Sequence, residues 1–235
     1  IILEVLVLGY YKKSVENFRN PIVTMEVENY GTVKIELYPD MAPNTVANFI
    51  KLINDGYYNG LTYHRVIPNV LIQGGDKEGT GSGNDEFAIN GEFAANGYTK
   101  NTLKHVEGTV SMARMDFSNL DSSIIEEGYN SAGTQFFICL ANSSGYDGLY
   151  AAFGKVTVGL DILENIYNNA EMQTSETTEE TEETSTDDIE QFATYPVITS
   201  ATVDTKGEDY GMPETQEAFD YESYMYDLMS TYYSN

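Results

Sequence analysis

A single cysteine, two histidines and only 12 basic residues against 37 acidic ones narrow the chemistry of this chain before any motif is read. One thiol, Cys139, allows no intrachain disulfide and no paired-thiolate metal or redox centre. Inside the run Phe136-Phe137-Ile138-Cys139-Leu140 it reads as a small buried hydrophobe. Two imidazoles, His64 and His105, leave few routes to a zinc site or to a nucleophile with a histidine base, so neither metal nor cofactor is expected. A net charge of −25 repels a phosphate backbone, which excludes nonspecific nucleic-acid binding and disfavours acidic lipid surfaces. The apolar opening Ile1 to Leu8 is too short to span a bilayer before Lys12, Lys13 and Arg19 intervene. Residues 1–20 read as the remaining end of a longer membrane anchor or signal segment, which favours an anchored extracytoplasmic protein over a cytoplasmic one, or else as an element packed on the domain.

Hydrophobic residues at 41%, rich in Val, Ile, Tyr and Phe, suffice for one packed core and favour a single β-rich domain with appendages over two domains. Val23, Met25 and Val27 alternate with polar neighbours, Asn29-Tyr30-Gly31 supplies a turn, and Val33, Ile35 and Leu37 alternate again, predicting a hairpin. Pro43 opens a helix carrying Val46, Phe49, Ile50 and Ile53 at helical spacing, ended by Gly56. Short strands are expected at Leu61–Ile67, Val70–Gln73, Thr109–Ala113, Gln135–Leu140 and Ala151–Val156, a second helix around Leu160 to Tyr167, and a last strand around Val197 to Val203. Such spacing suggests a closed antiparallel barrel or a sandwich. An acidic Thr/Glu-rich insertion at about 171–190 is expected to be disordered. In the acidic, tyrosine-rich tail 206–235, Met225, Leu228, Met229 and Tyr232 share helical spacing, and the stripe is expected to dock on the parent domain.

The chemistry-bearing stretches are Tyr63-His64-Arg65-Val66-Ile67-Pro68, Leu71-Ile72-Gln73-Gly74-Gly75-Asp76, Ser111-Met112-Ala113-Arg114, Thr134-Gln135-Phe136-Phe137-Ile138 and Phe153-Gly154-Lys155-Val156. The glycine-rich Gly79 to Gly83 lacks the Gly-Lys-Ser/Thr ending of a phosphate loop. Residues two apart on a strand share a face, so Leu71 sits beside Gln73 and Gln135 beside Phe137, an apolar surface next to an amide in each case.

In this order, over 21–205, the segments resemble the cyclophilin family of peptidyl-prolyl isomerases, particularly its bacterial members. The resemblance implies a mainly β fold, a closed eight-stranded antiparallel β-barrel capped by two α-helices, acting as a monomer on proline-containing polypeptides bound on the outer face. It assigns Arg65 as the central catalytic group, with Gln73 holding a substrate carbonyl and Phe137 lining the proline pocket. Val70, Leu71, Gln135 and Tyr150 would join the binding surface, with Ala113 and Arg114 touching the residues before the proline. His64 and His105 would be hydrogen-bonded supports. The chain departs from the family pattern where Val70 replaces an aromatic, Gly145 stands where tryptophan is common and Tyr150 replaces a histidine. The alternative is a catalytically weak proline-peptide-binding or chaperone-like module.

Overall fold

A computed structural model describes residues 20–82, 86–117, 124–169 and 195–233. The N-terminal segment through residue 19 and the insertion at 171–190 lie outside the described residues. No helix among those described is long and apolar enough to cross a membrane.

Alternation decides which side of each strand faces inward. β1 (Ile22–Val27) buries Val23, Met25 and Val27, and β2 (Gly31–Leu37) buries Val33, Ile35 and Leu37, with Val23 opposite Ile35 and Met25 opposite Val33. The turn between them needs left-handed backbone, supplied by Asn29 at φ 63° and Gly31 at φ 123°. Next comes α1 (Pro43–Asn54), whose Phe49 ring lies 4.9–5.4 Å from those of Phe153, Tyr58 and Phe136. Ala42, its N-cap, offers no side chain to the first-turn amides. Glu92 accepts from Asn44 N (3.1 Å) and Thr45 N (2.8 Å) instead.

The remaining strands are β3 (Arg65–Ile67), β4 (Leu71–Gly74), β5 (Phe87–Ala88), β6 (Thr109–Met112), β7 (Phe136–Cys139), β8 (Ala152–Val158), β9 (Ile198–Asp204) and β10 (Gln216–Glu217). The main sheet has eight strands in the order β3-β4-β7-β6-β8-β2-β1-β9, every pairing antiparallel. It curls around a core that includes Val66, Ile72, Val110, Phe136, Ile138 and Phe153. α1 packs on this core, as does α3 (Leu160–Asn169) through the fully buried Leu163 and Ile166, while α2 (Ile125–Tyr129) is a short helix outside it. β5 and β10 form a separate two-stranded ribbon.

Two expectations are modified. The closed barrel is seen as a curled sheet whose edge strands β3 and β9 do not pair along their length. They meet ahead of β3, where Gly60 N donates to Ile198 O (2.8 Å), Tyr63 N donates to Pro196 O (3.0 Å) and Thr62 bridges Val197. The strand expected at Leu61–Ile67 thus divides, its first half bonded to the start of β9 and its second half to β4. Secondly, the tail forms α4 (Tyr221–Tyr233), but Leu228 and Met229 are 50% and 55% exposed. Phe219 and Tyr221, at the start of the helix, make the contact, packing on Phe117 at 5.8 and 5.3 Å.

Candidate active site

Residues directly opposite in an antiparallel ladder point to the same side. The registers Arg65↔Gln73, Gln73↔Phe137 and Phe137↔Ser111 therefore place four side chains in one row across β3, β4, β7 and β6. Val66, Ile72, Ile138 and Val110 form the neighbouring row and belong to the core, so the Arg65 row occupies the outer face. A second apolar cluster gathers there. Leu71, Phe137 and Cys139 are buried in it, with Ile67, Val70, Ala113, Tyr146 and Tyr150 packed alongside. An apolar patch beside polar groups in one line is what a small, oriented ligand requires.

The polar side of the row is a chain of amides. Arg65 Nη1 donates a long bond to Gln73 Oε1 (3.4 Å), Gln73 Nε2 donates to Gln135 Oε1 (2.8 Å), and Gln135 Nε2 reaches Gly81 O (3.4 Å). Arg65 forms no salt bridge with a described carboxylate, and its buried Nε has no hydrogen-bond partner. An arginine left with unused donors beside an apolar pocket is a poor stabiliser and a good ligand for an acceptor brought in from outside. The rim near Gly81 is shaped by Asp76, whose carboxylate accepts from the amides of Glu78 (3.0 Å), Thr80 (3.0 Å) and Gly81 (2.7 Å). Burial alone would raise the Asp76 pKa, but these three amides hold it below the ordinary carboxylate value. Gly75, at φ 91°, admits no other residue without strain, since a Cβ there would lie 2.6 Å from Thr134 O.

His105 supports the row from behind. Its ring stacks on Phe137 (centroids 6.0 Å apart, 18° between planes), Nδ1 donates to Asp147 Oδ1 (3.2 Å), and Nε2 accepts from Ser111 Oγ (3.1 Å). The carboxylate fixes this tautomer. Burial lowers the His105 pKa despite the bond and charge of Asp147, so the ring is neutral at pH 7 and positions Phe137 without taking a proton. His64 is only 5% exposed, and burial again lowers its pKa against the opposing charge of Asp76.

Residues 22–192 match the family model described as cyclophilin type peptidyl-prolyl cis-trans isomerase. The chain belongs to that family. Peptidyl-prolyl cis-trans isomerase B of Bacillus subtilis is 40% identical over 147 residues, covering 63% of this chain and 91% of the relative. A peptidyl-prolyl cis-trans isomerase of Helicobacter pylori is 37% identical over 140 residues, 59% of this chain and 76% of the relative. Among solved structures, a cyclophilin type peptidyl-prolyl cis-trans isomerase of Cryptosporidium parvum superposes with a TM-score of 0.60 at 26% identity, covering 79% of this chain and 98% of that one.

The cyclophilin framework gathers most of the expected site residues on the outer face. Arg65, Gln73 and Phe137 share the row, and Val70, Leu71, Ala113 and Tyr150 lie in the outer apolar cluster. Gln135 joins through its amide. Arg114 is close by, but its guanidinium is committed to the protein. Nε donates to Leu149 O (3.0 Å), Nη1 to Met115 O (2.8 Å), and the group lies 4.5 Å from the Tyr150 ring and 5.1 Å from that of Tyr129. It braces the pocket wall. Tyr146 was not among the expected residues, although a 3₁₀ turn at Ser144–Tyr146 brings its ring within 5.6 Å of Phe137 and 5.2 Å of Tyr150. The signal available was its spacing of four from Tyr150. Cys139 also belongs here by alternation from Phe137, and burial pushes its thiol up to about 12, which leaves it an inert hydrophobe.

Proposed function

We propose that this cyclophilin accelerates cis–trans rotation of Xaa-Pro bonds in folding or flexible polypeptides, with Arg65 acting on the reacting nitrogen. The observation that carries the reading is the single outer-face row of Arg65, Gln73 and Phe137 beside the Leu71–Phe137–Cys139 cluster. Rotation breaks no covalent bond but forfeits amide resonance across a barrier of ~18–20 kcal/mol. In the twisted state the proline nitrogen regains a lone pair, so an arginine N–H aimed at it binds that state more tightly than either planar isomer. The free Nε and weakly held Nη1 of Arg65 are the donors at hand. Gln73 keeps one amide hydrogen beyond its bond to Gln135, enough to hold a substrate carbonyl. A charged hydrogen bond contributes roughly 1.5–3 kcal/mol, one to two factors of ten, so the dry pocket must favour the twisted shape for the remainder.

Support for the substrate class comes from the Cryptosporidium relative, whose structure was also determined in the presence of the dipeptide Ala-Pro. The bonds joining residues 60–63 to the start of β9 support reading the curled sheet as a barrel closed by a short seam. The test is NMR exchange spectroscopy on a short Ala-Pro peptide, comparing wild type with Arg65→Ala at equal concentration. Wild type is expected to accelerate exchange and the variant to lose roughly ten- to a hundredfold of that rate. Peptide binding by wild type without acceleration would make the chain a proline-peptide-binding module instead.

A further inference from the structure

The outer-face row opens on one side into a cleft of about 780 Å³. Gln73, Ala113 and Gln135 form its near wall, so the cleft is continuous with the candidate active site. Its far wall comes from a different part of the chain, Glu217 through Glu222. That stretch follows β9 and lies beyond residue 192, where the family match ends. Three separate contacts seat it. Asn44 and the Glu214 backbone exchange two hydrogen bonds (2.9 and 2.7 Å), Gln216 and Glu217 ladder with Ala88 and Phe87, and the Phe219 and Tyr221 rings pack on Phe117.

The chemistry of the walls decides what fits. Among the described residues, five carboxylates, Glu86, Asp116, Glu217, Asp220 and Glu222, line the cleft against one cation, Arg114, which lies 3.8 Å from Asp116 and donates to two carbonyls, so the acidic groups remain in excess. Asp220 is held ionised by the amide and hydroxyl of Ser223. Phe219 and Tyr221 add aromatic surface between these charges, and an aliphatic stem ending in a cation matches both. An acidic rim alone would mean only a solvated surface, but here it faces a cleft that runs up to the amides of Gln73 and Gln135. We propose that segment 217–222 is a specificity wall of the substrate groove, selecting Lys or Arg among the residues preceding the proline. The proposal rests on the isomerase reading of the Arg65 row.

The experiment uses the full chain and three peptides identical except for Lys, Glu or Ala at the second residue before the proline. Exchange rates are measured for wild type and for the combined variant E217Q/D220N/E222Q. Wild type is expected to prefer the Lys peptide over the Glu peptide in kcat/KM by about five- to tenfold, shrinking as salt is added. In the variant the ratio should fall to about twofold. Taking the ratio within each protein cancels any general loss of activity, and the variant separates a local wall from the attraction of the whole −25 charge. Should the combined variant fail to fold, E217Q and E222Q singly must each lower the ratio. Equal rates on the Lys and Glu peptides in wild type, or a ratio unchanged by the substitutions, would overturn the wall. Failure of wild type on the Ala peptide would instead sink the isomerase reading on which it stands.

Discussion

The two faces of the same four strands do different work. On β3, β4, β7 and β6 the inward residues Val66, Ile72, Ile138 and Val110 are completely buried in a large apolar core. One position along each strand, the outward residues Arg65, Gln73, Phe137 and Ser111 combine a cation, an amide, a ring and a hydroxyl over a core of only three buried side chains. The strand period of two thus lets a buried interior and a polar and aromatic outer row be specified almost independently. The large core lies on one side and the proposed chemistry on the other.

The strongest way to break this division is to truncate adjacent phenylalanines. Phe136→Ala, on the inner face among Phe49, Tyr58 and Tyr63, is expected to cost about 3–5 kcal/mol in urea unfolding. Phe137→Ala, in a cluster of only three buried side chains, should cost only about 2 kcal/mol while lowering isomerisation more than tenfold. Equal stability losses would show that the outer cluster is simply more core. A smaller effect is expected of Gly75→Ala, which puts a Cβ against Thr134 O at a positive φ and should destabilise by about 1–3 kcal/mol, read as a lower urea midpoint. The smallest effect is in pH. Both histidines have folded-state pKa values lowered from 6.5 by burial, so the unfolded chain binds their protons first. Their contribution is complete above the unfolded pKa and is lost as pH falls through the folded values, so the urea midpoint is expected to fall as pH is lowered from 7 to 6. A flat profile there would mean that the rings behind and beside the row are not desolvated.

How much of this was legible in the sequence follows from the same alternation. β1 and β2 were readable because their apolar residues recur every second position, and α1 because Val46, Phe49, Ile50 and Ile53 recur at helical spacing. Motif resemblance supplied Arg65 and Gln73, which periodicity alone would have left as ordinary polar strand residues. The split of Leu61–Ile67 was not readable, since hydrogen-bond partners on two different strands leave no trace in side-chain pattern. Nor was the β5–β10 ribbon, two residues on each side and without alternation. Tyr146 was hidden by a single 3₁₀ turn that rotates it toward Phe137. In the tail, helical spacing pointed to Leu228 and Met229, whereas docking depends on Phe219 and Tyr221 just upstream.

The Asp76 carboxylate has a further bearing on catalysis. Three backbone amides from a glycine-rich stretch converge on one buried anion, so residues 76–81, which would otherwise sample many conformations, are fixed when the domain folds. On the proposed reading, a client segment arriving at Gln135 and Gly81 meets a rim that is already ordered. The entropic penalty of shaping that rim is incurred once, at folding, and need not be met again at every encounter with a new proline.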